Sequence, residues 1–401
     1  MNKVILKPHR ERSLLQRHPW IFSGAIASMP PTFENGEIFP VYSASGQFLA
    51  KAYFHRQNSL AGRVMTFEDI SIEEALKALL KDALALRKQL GLSSYRLING
   101  EGDHCPGLII DRYEDVFVLQ AHTLGIERLK PKIVQLLIEE FQPRAIYEKS
   151  FSSSRKLEGL EESEGLLWGE EVGDVAIEED GLHFLVPVLK GQKTGFFLDQ
   201  RRMRKEVEHL ARGRRVLNCF AYTGGFSLYA LRGGAQKVSS VEISAFACDY
   251  IERHTQLNGF SLERHRILQR DAFDVLQNEG SDYDLIILDP PAFAKKRADL
   301  KRASAAYLQL NQMALKKIAP RGLLLTASCS YFVNEELFRT LLFQAALAAG
   351  RQVKILGKHR QAEDHPLSLF HREGEYLKSF LLYTGDTGNF HNPPVSPVYV
   401  E

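Results

Sequence analysis

The sequence predicts an α/β protein whose second half is a doubly wound parallel sheet, preceded by an N-terminal β-barrel and a middle α+β domain. From about residue 190, short apolar runs alternate with amphipathic helical stretches, the pattern of a parallel sheet covered on both faces. Before residue 70 the chain instead shows short β-rich runs separated by glycine turns. The 401 residues are 44% hydrophobic and 25% charged, which suits a folded protein of several domains and excludes a disordered chain or a coiled-coil rod.

Taken in order, Glu37–Tyr42 and Gln47–Phe54 read as strands, with turns at Asn35-Gly36 and Ser45-Gly46. They assign residues 1–70 to the barrel. Ser71 and Glu74 form a capping box, and Ile72, Leu76, Leu79, Leu80, Ala83, Leu86 and Leu90 recur at helical spacing up to a stop at Gly91. This helix opens a middle domain over 71–188, with a strand at Asp115–His122, a helix at Lys130–Phe141 and a strand at His183–Val188. The sheet domain then runs over 189–388, and 389–401 is a C-terminal tail. Its strands are Val216–Phe220, Val238–Ile243, Ile267–Gln269, Asp284–Leu288 and Leu323–Ala327. Helices at Ser244–Leu257 and Ala303–Ile318, with one ending near Gly233, lie between them.

Cys105, Cys219, Cys248 and Cys329 are scattered, with no Cys-x-x-Cys pair and no Cys/His cluster, so neither a disulfide framework nor a metal site is expected. The basic start Met1–Arg12 is not followed by an apolar run, and no stretch is long enough for a membrane helix; the expected location is cytoplasmic, without a membrane partner. Charge is segregated: residues 1–66 carry eight Lys/Arg against three Asp/Glu, and Arg201–Arg215 seven against two. Lys295–Arg302 carries five against one, whereas Leu157–Asp180 carries ten acidic residues and no basic one. Basic patches of this kind suit a polyanion such as nucleic acid, though they also occur as solvated faces. Arg10, Arg12, Arg17, Arg56 and Arg63 with Trp20, Phe22 and Tyr53 would serve as an RNA surface; Trp20 and Phe22 are read as barrel core.

Nucleotide chemistry collects at the carboxyl ends of the predicted strands. The turn Cys219-Phe-Ala-Tyr-Thr-Gly-Gly225 allows close backbone approach to a ligand but lacks the dinucleotide glycine spacing. Gly191-Gln-Lys-Thr194 lacks the earlier glycine of a phosphate loop, Val186 standing there. Glu242, ending the next strand, can accept from both hydroxyls of a ribose, and Asp271 can meet an adenine amino group. A ribose carboxylate, an adenine partner and a glycine turn without a pyrophosphate loop point to S-adenosylmethionine. Asp289-Pro-Pro-Ala-Phe293 follows an apolar strand, and its prolines hold a non-helical path on which Asp289 can contact a base.

These blocks, taken in order, resemble the RlmI family of S-adenosylmethionine-dependent 23S ribosomal-RNA cytosine-5 methyltransferases. The resemblance begins at His18-Pro-Trp-Ile-Phe-Ser-Gly24 and continues through Gly100-Glu-Gly-Asp103 and Pro106–Tyr113. It is strongest in Gly191–Arg201, Leu217–Phe226, Asp289–Phe293 and Ser328-Cys-Ser330. It implies an N-terminal RNA-binding PUA barrel, a middle α+β domain and a Rossmann-like class I methyltransferase domain. It further implies 5-methylcytosine formation in large-subunit rRNA. The implied donor site is Asn218, Phe220, Tyr222, Thr223, Gly224 and Gly225 for the methionine part, Glu242 for the ribose and Asp271 with Ala272 for the adenine, with Phe197 and Gln200 lining it. Asp289 would contact the cytosine and Cys329 would be the nucleophile. Pro290, Pro291, Phe293, Lys295 and Lys296 would meet the RNA substrate. Asp364-His-Pro366 also recurs in the family, without an evident chemical role.

The chemistry asks for such residues, because carbon 5 of cytosine becomes nucleophilic only after a thiolate adds to carbon 6. Lys295 and Lys296 are candidates to favour that thiolate. Pro291 stands where many RNA cytosine-5 methyltransferases carry a second Cys, so the release step has no assigned base. Two other readings stay open: methylation of a base nitrogen such as guanine, and a non-catalytic RNA-binding ribosome assembly factor. Target nucleotide, naked rRNA against an assembly intermediate, and a homodimer against a monomer are likewise open.

Overall fold

The computed structural model describes residues 2–279 and 283–387; the expected tail at 389–401 lies outside them. Contacts gather into two compact units, one of Met1–Glu179, Leu185–Asp199 and Ala362–Gly374, the other of Asp180–Phe184, Gln200–Gln361 and the chain from Glu375.

The first unit holds a six-stranded sheet in the order Trp20–Phe22, Leu60–Thr66, Phe48–Phe54, Ile38–Tyr42, Val4–Leu6, Ile26–Ser28. Alternation along these strands turns Phe39, Val41, Ala50, Ala52 and Phe54 into one apolar core. The same alternation corrects the reading of two aromatics. Ile21 is the buried residue of its strand, so Phe22 is 51% exposed and Trp20 half-buried. Trp20 donates from Nε1 to Glu101 Oε1 at 2.9 Å and meets the His371 ring edge-on. Tyr53 by contrast is core, its hydroxyl bonding Pro106 O at 2.8 Å.

A second sheet of five strands, from Tyr95–Asn99 to Ser163–Gly169, carries two helices. Ile72–Leu90 has the expected capping box at Ser71 and Glu74 and ends on Gly91 at φ +64°, the left-handed conformation glycine takes without cost. Leu124–Phe141 starts a turn and a half before the expected Lys130, because Ile126 is already packed in the core. Arg87 lies wholly buried between helix and sheet. It grips Asp103 with two bonds of 2.5 and 2.7 Å and donates to Arg96 O and Asp364 O. Asp364 in turn accepts from Arg96 N at 2.9 Å and from His365 Nδ1. The Asp364-His-Pro motif is therefore an anchor: it binds segment 362–374 into this unit.

The second unit is a seven-stranded sheet. Its strands are β1 (Arg215–Cys219), β2 (Lys237–Glu242), β3 (His265–Gln269), β4 (Tyr283–Leu288), β5 (Ile318–Ser328), β6 (Arg351–His359) and β7 (Lys378–Thr387). The order is β3-β2-β1-β4-β5-β7-β6. The first five run parallel, and β7 is antiparallel to both β5 and β6. Helices are α1 (Arg201–Leu210), α2 (Gly225–Arg232), α3 (Ala245–Leu257), α4 (Ala272–Asn278), α5 (Leu300–Lys317) and α6 (Glu335–Ala348). Leu285 and Ile287 of β4 pack with α1 and α2 on one face; Ile286 and Leu288 pack with α4, α5 and α6 on the other. Both faces are buried, as the near-continuous apolar runs of β4 and β5 require.

Replacing Arg87 by Met leaves Asp103 buried without its partner, a change that costs roughly 3–5 kcal/mol. The expected outcome is an early unfolding transition in urea, followed by the fluorescence of Trp20 and Trp168; an unchanged midpoint contradicts the anchoring role.

Candidate active site

Strand register decides which residues meet. Cys219 pairs with Val241 on one side and with Leu288 on the other, and Leu288 pairs with Thr326. The chain after β1, Glu242 at the end of β2, Asp289 after β4 and Cys329 after β5 therefore emerge at one edge. That edge flanks β1 and β4, where the strand order reverses and open α/β sheets bind their ligands.

The turn after β1 is held in an unusual backbone path. Phe220 and Tyr222 have φ of +61° and +48°, and Gly224 has +86°. Left-handed non-glycine residues cost on the order of 1–3 kcal/mol each and persist only where other bonds hold them. Glu242 supplies such bonds: Oε2 accepts from Tyr222 N and Oε1 from Ser244 N, both at 2.9 Å. Thr223 is buried, and its carbonyl accepts from His254 Nδ1 at 2.8 Å. Gly225 opens α2 and has no room to spare, since a Cβ there would lie 3.1 Å from Arg204 Cδ. Phe220 packs against the apolar cluster below.

Beneath the turn runs a buried polar chain that sequence reasoning missed. Asn218 Nδ2 donates to Ser227 Oγ at 2.9 Å, Ser227 meets Ser240 at 2.6 Å, and Ser240 meets His265 Nε2 at 2.7 Å. His265 Nδ1 meets Thr255 Oγ1 at 2.8 Å, and Thr255 donates to Ile251 O. Each hydroxyl has one proton, so the last bond orders the rest. Thr255 must accept from His265, Ser240 must donate to His265 Nε2, Ser227 must donate to Ser240, and Asn218 must turn its amide nitrogen inward. Among the described residues, Asn218 Oδ1 is left as a buried acceptor without a partner. Such an orphan suits a ligand that brings a hydrogen-bond donor. Burial holds the His265 pKa down at about 4, which keeps the ring neutral.

Asp271 is exposed and caps α4, both cap bonds (2.8 and 3.2 Å) falling on Oδ1; Ala272 starts that helix and is buried. Phe197 is half-buried in the other unit, with Lys193 Nζ 4.8 Å from its ring centre. Gln200, expected near the donor, donates its amide to Asp289 Oδ2 at 2.5 Å.

Cys329 is half-buried and its Sγ lies 3.7 Å from Pro290 O. Ser330 Oγ accepts from Ala294 N at 3.2 Å and meets the Tyr307 hydroxyl at 3.0 Å. Phe293 packs against Tyr307 with the rings tilted by 50° and their centres 4.7 Å apart. Pro290 is buried, while Pro291, Lys295 and Lys296 face solvent. Lys378 of β7, which is buried, interacts electrostatically with Cys329. Its Nζ donates to Ser330 O and Tyr376 O at 2.7 and 2.8 Å. Cys105 and Cys219 are fully buried, which pushes both thiols far up; Cys248 lies 3.6 Å from Glu242 O, and burial raises it too. No group of three or more His, Cys, Asp and Glu among the described residues could hold a metal. Nor is any described helix long and apolar enough to cross a membrane.

Residues 4–67 match a PUA-like domain, and residues 160–336 match the S-adenosylmethionine-dependent methyltransferase domain. The chain is 40% identical over 388 residues to ribosomal RNA large subunit methyltransferase I of Vibrio vulnificus (strain YJ016), spanning 94% of this chain and 98% of that protein. The chain belongs to this family. The enzyme of the same name from Aliivibrio fischeri (strain MJ11) is 40% identical over 389 residues, with the same coverage. Among solved structures, an S-adenosylmethionine-dependent methyltransferase from Streptococcus mutans superposes with TM-score 0.81 at 24% identity, covering 96% of this chain and all of that one. The methyltransferase SMU.776, crystallised with SAH, gives 0.82 at 25% identity over the same shares.

The family makes this an α/β methyltransferase with an N-terminal PUA-like domain, and its cofactor is S-adenosylmethionine. The geometry fits that cofactor: a strained turn, an orphaned buried acceptor and a carboxylate at the end of β2 lie together.

The buried network makes the fold acid-sensitive. An unfolded His265 takes a proton as pH drops below about 6.5, the folded one only near pH 4. Stability therefore falls as pH drops across that window, by up to about 3 kcal/mol at 1.4 kcal/mol per unit. Urea midpoints at pH 7 and pH 4.5 should differ more in the native protein than in H265Q; equal differences contradict the assignment.

Proposed function

We propose that the protein methylates carbon 5 of a cytosine in large-subunit ribosomal RNA, with Cys329 as nucleophile. The observation that carries this reading is the pairing of Cys329 with the Asp289-Pro-Pro loop at adjacent strand ends, the thiol resting 3.7 Å from Pro290 O. A base-nitrogen methyltransferase has no need of a thiol there. The rRNA substrate is inferred from the names of the relatives and from the PUA-like domain.

In this reading residues 1–70 bind RNA, 71–188 form the middle domain and 189–388 carry the chemistry. Asn218, Phe220, Tyr222, Thr223, Gly224 and Gly225 hold the methionine part of the cofactor. Glu242 holds the ribose with the lone pairs its two backbone bonds leave over, and Asp271 with Ala272 meets the adenine. When bound, S-adenosylmethionine supplies an electrophilic methyl on its sulfonium.

Cys329, as thiolate, forms a bond to carbon 6 of the cytosine, and the ring electron pair moves to carbon 5. Asp289 favours the protonated form of ring nitrogen 3, which draws that pair. Gln200 fixes the Asp289 carboxylate through its amide and so determines which oxygen faces the base. After transfer the carbon 5 proton leaves to water, the double bond re-forms, and Cys329 departs as thiolate. Pro290, Pro291 and Phe293 shape the base pocket, and the exposed Lys295 and Lys296 meet phosphates.

Two outcomes test this. Cys329→Ala is expected to lower turnover by about 10³-fold or more, measured as label from S-adenosylmethionine in unmodified 23S rRNA, while calorimetric cofactor binding is kept. Mass mapping should then find one 5-methylcytosine made by the native protein; a methylated guanine, or full activity of the variant, overturns the reading. Glu242→Gln removes a charged acceptor worth roughly 1.5–3 kcal/mol, so cofactor affinity should fall about 10- to 100-fold; unchanged affinity contradicts the ribose role.

A further inference from the structure

We propose that Lys378 is the positioning residue for the nucleophile: its buried ammonium holds Cys329 as the thiolate. This rests on the reading of Cys329 as the attacking group and adds the residue that prepares it.

Lys378 is the first residue of β7 and pairs across the antiparallel ladder with Ser328, the residue before Cys329. Its backbone is thus fixed beside the end of β5. Only 8% of the residue is exposed. An ammonium carries three N–H donors, and two are taken by the carbonyls of Ser330 and Tyr376. Neither acceptor is charged. Lys378 forms no ion pair with any described residue, and an ammonium buried without an anion is costly. A fold keeps such a cation where an anion has to form.

Cys329 and Glu375 are the acidic groups that act on this ammonium. From the loop after β4, Pro290 presents a carbonyl, and Asp289 a carboxylate that accepts from the Gln200 amide at 2.5 Å. From α5, Tyr307 presents a phenol that burial pushes up to about 12, so it stays neutral. From the stretch before β7, Glu375 acts on Lys378 from a distance and is paired with Arg360 at 3.0 Å. Cys329 itself remains. Burial pulls the Lys378 pKa down to about 8, and the charge of Cys329 opposes that fall. Thiolate and ammonium therefore stabilise each other, and the thiol proton is released to solvent before a base arrives. Cations beside a cysteine lower its pKa below the free value of about 8.5.

The test is the alkylation of Cys329 by iodoacetamide in the full-length protein, followed by peptide mass from pH 5.5 to 9.5. The native protein is expected to show a midpoint about one unit or more below 8.5. Lys378→Met should move it up by a unit or more and slow the reaction about tenfold at pH 7, while Lys378→Arg retains most of the shift. Cofactor titration and thermal melting report whether Lys378→Met is folded. An unchanged midpoint in a folded Lys378→Met overturns the proposal. So does a native midpoint at or above 8.5, which decides the matter even where the variant does not fold. Alkylation does not depend on turnover, so an active Cys329→Ala would remove the nucleophile reading and leave this result standing by itself.

Discussion

Everything at the site depends on the register of the parallel ladder through β2, β1, β4 and β5. The ladder sets Val241, Cys219, Leu288 and Thr326 side by side, and the chain can leave the sheet only past that line. A slip of one residue would turn each strand's side chains to the opposite face. It would carry the residues that follow each strand away from that line and exchange side chains between the two packed cores. The strands are apolar on both faces because helices cover both, so the same burial that stabilises the sheet also fixes where its reactive ends lie.

On that frame the site departs from ordinary protein interior in a consistent way. It holds left-handed residues without glycine and, among the described residues, an amide oxygen with no partner and an ammonium in no ion pair with a carboxylate. Each is unfavourable alone. Together they describe a surface built for absent charges and donors, and the rigid network from Asn218 to Thr255 keeps it from relaxing.

The element boundaries were legible in the sequence because they fall at residues that break or begin an element: Gly224-Gly225 opens α2, Asn258-Gly259 closes α3 and Pro290-Pro291 follows β4. The capping box at Ser71 was legible for the same local reason. What escaped was non-local. Ser227, Ser240, Thr255 and His265 are unremarkable singly and become a network only through sheet order. Lys378 sits between Leu377 and Ser379 at the start of an apolar strand, far along the chain from Cys329, where a lone lysine reads as a solvated end. The only available signal was that lysine directly before a buried run. Trp20 and Phe22 were misread by parity, since aromatic character argues for the core but alternation put Ile21 there. Asp364 carried a motif without chemistry because its work is mechanical, bonding to Arg96 and to Arg87.

Ser330 has a wider consequence. It takes the Ala294 amide, meets the Tyr307 hydroxyl and offers its carbonyl to Lys378. The Asp289-Pro-Pro loop, α5, β5 and β7 are thus riveted at one serine. Distance between that loop and the Cys329 sulfur is then a property of the scaffold. On the proposed function, an enzyme built this way spends little on closing around its target, and the burden of adjustment falls on the RNA, which brings its base out to a gap already cut to length.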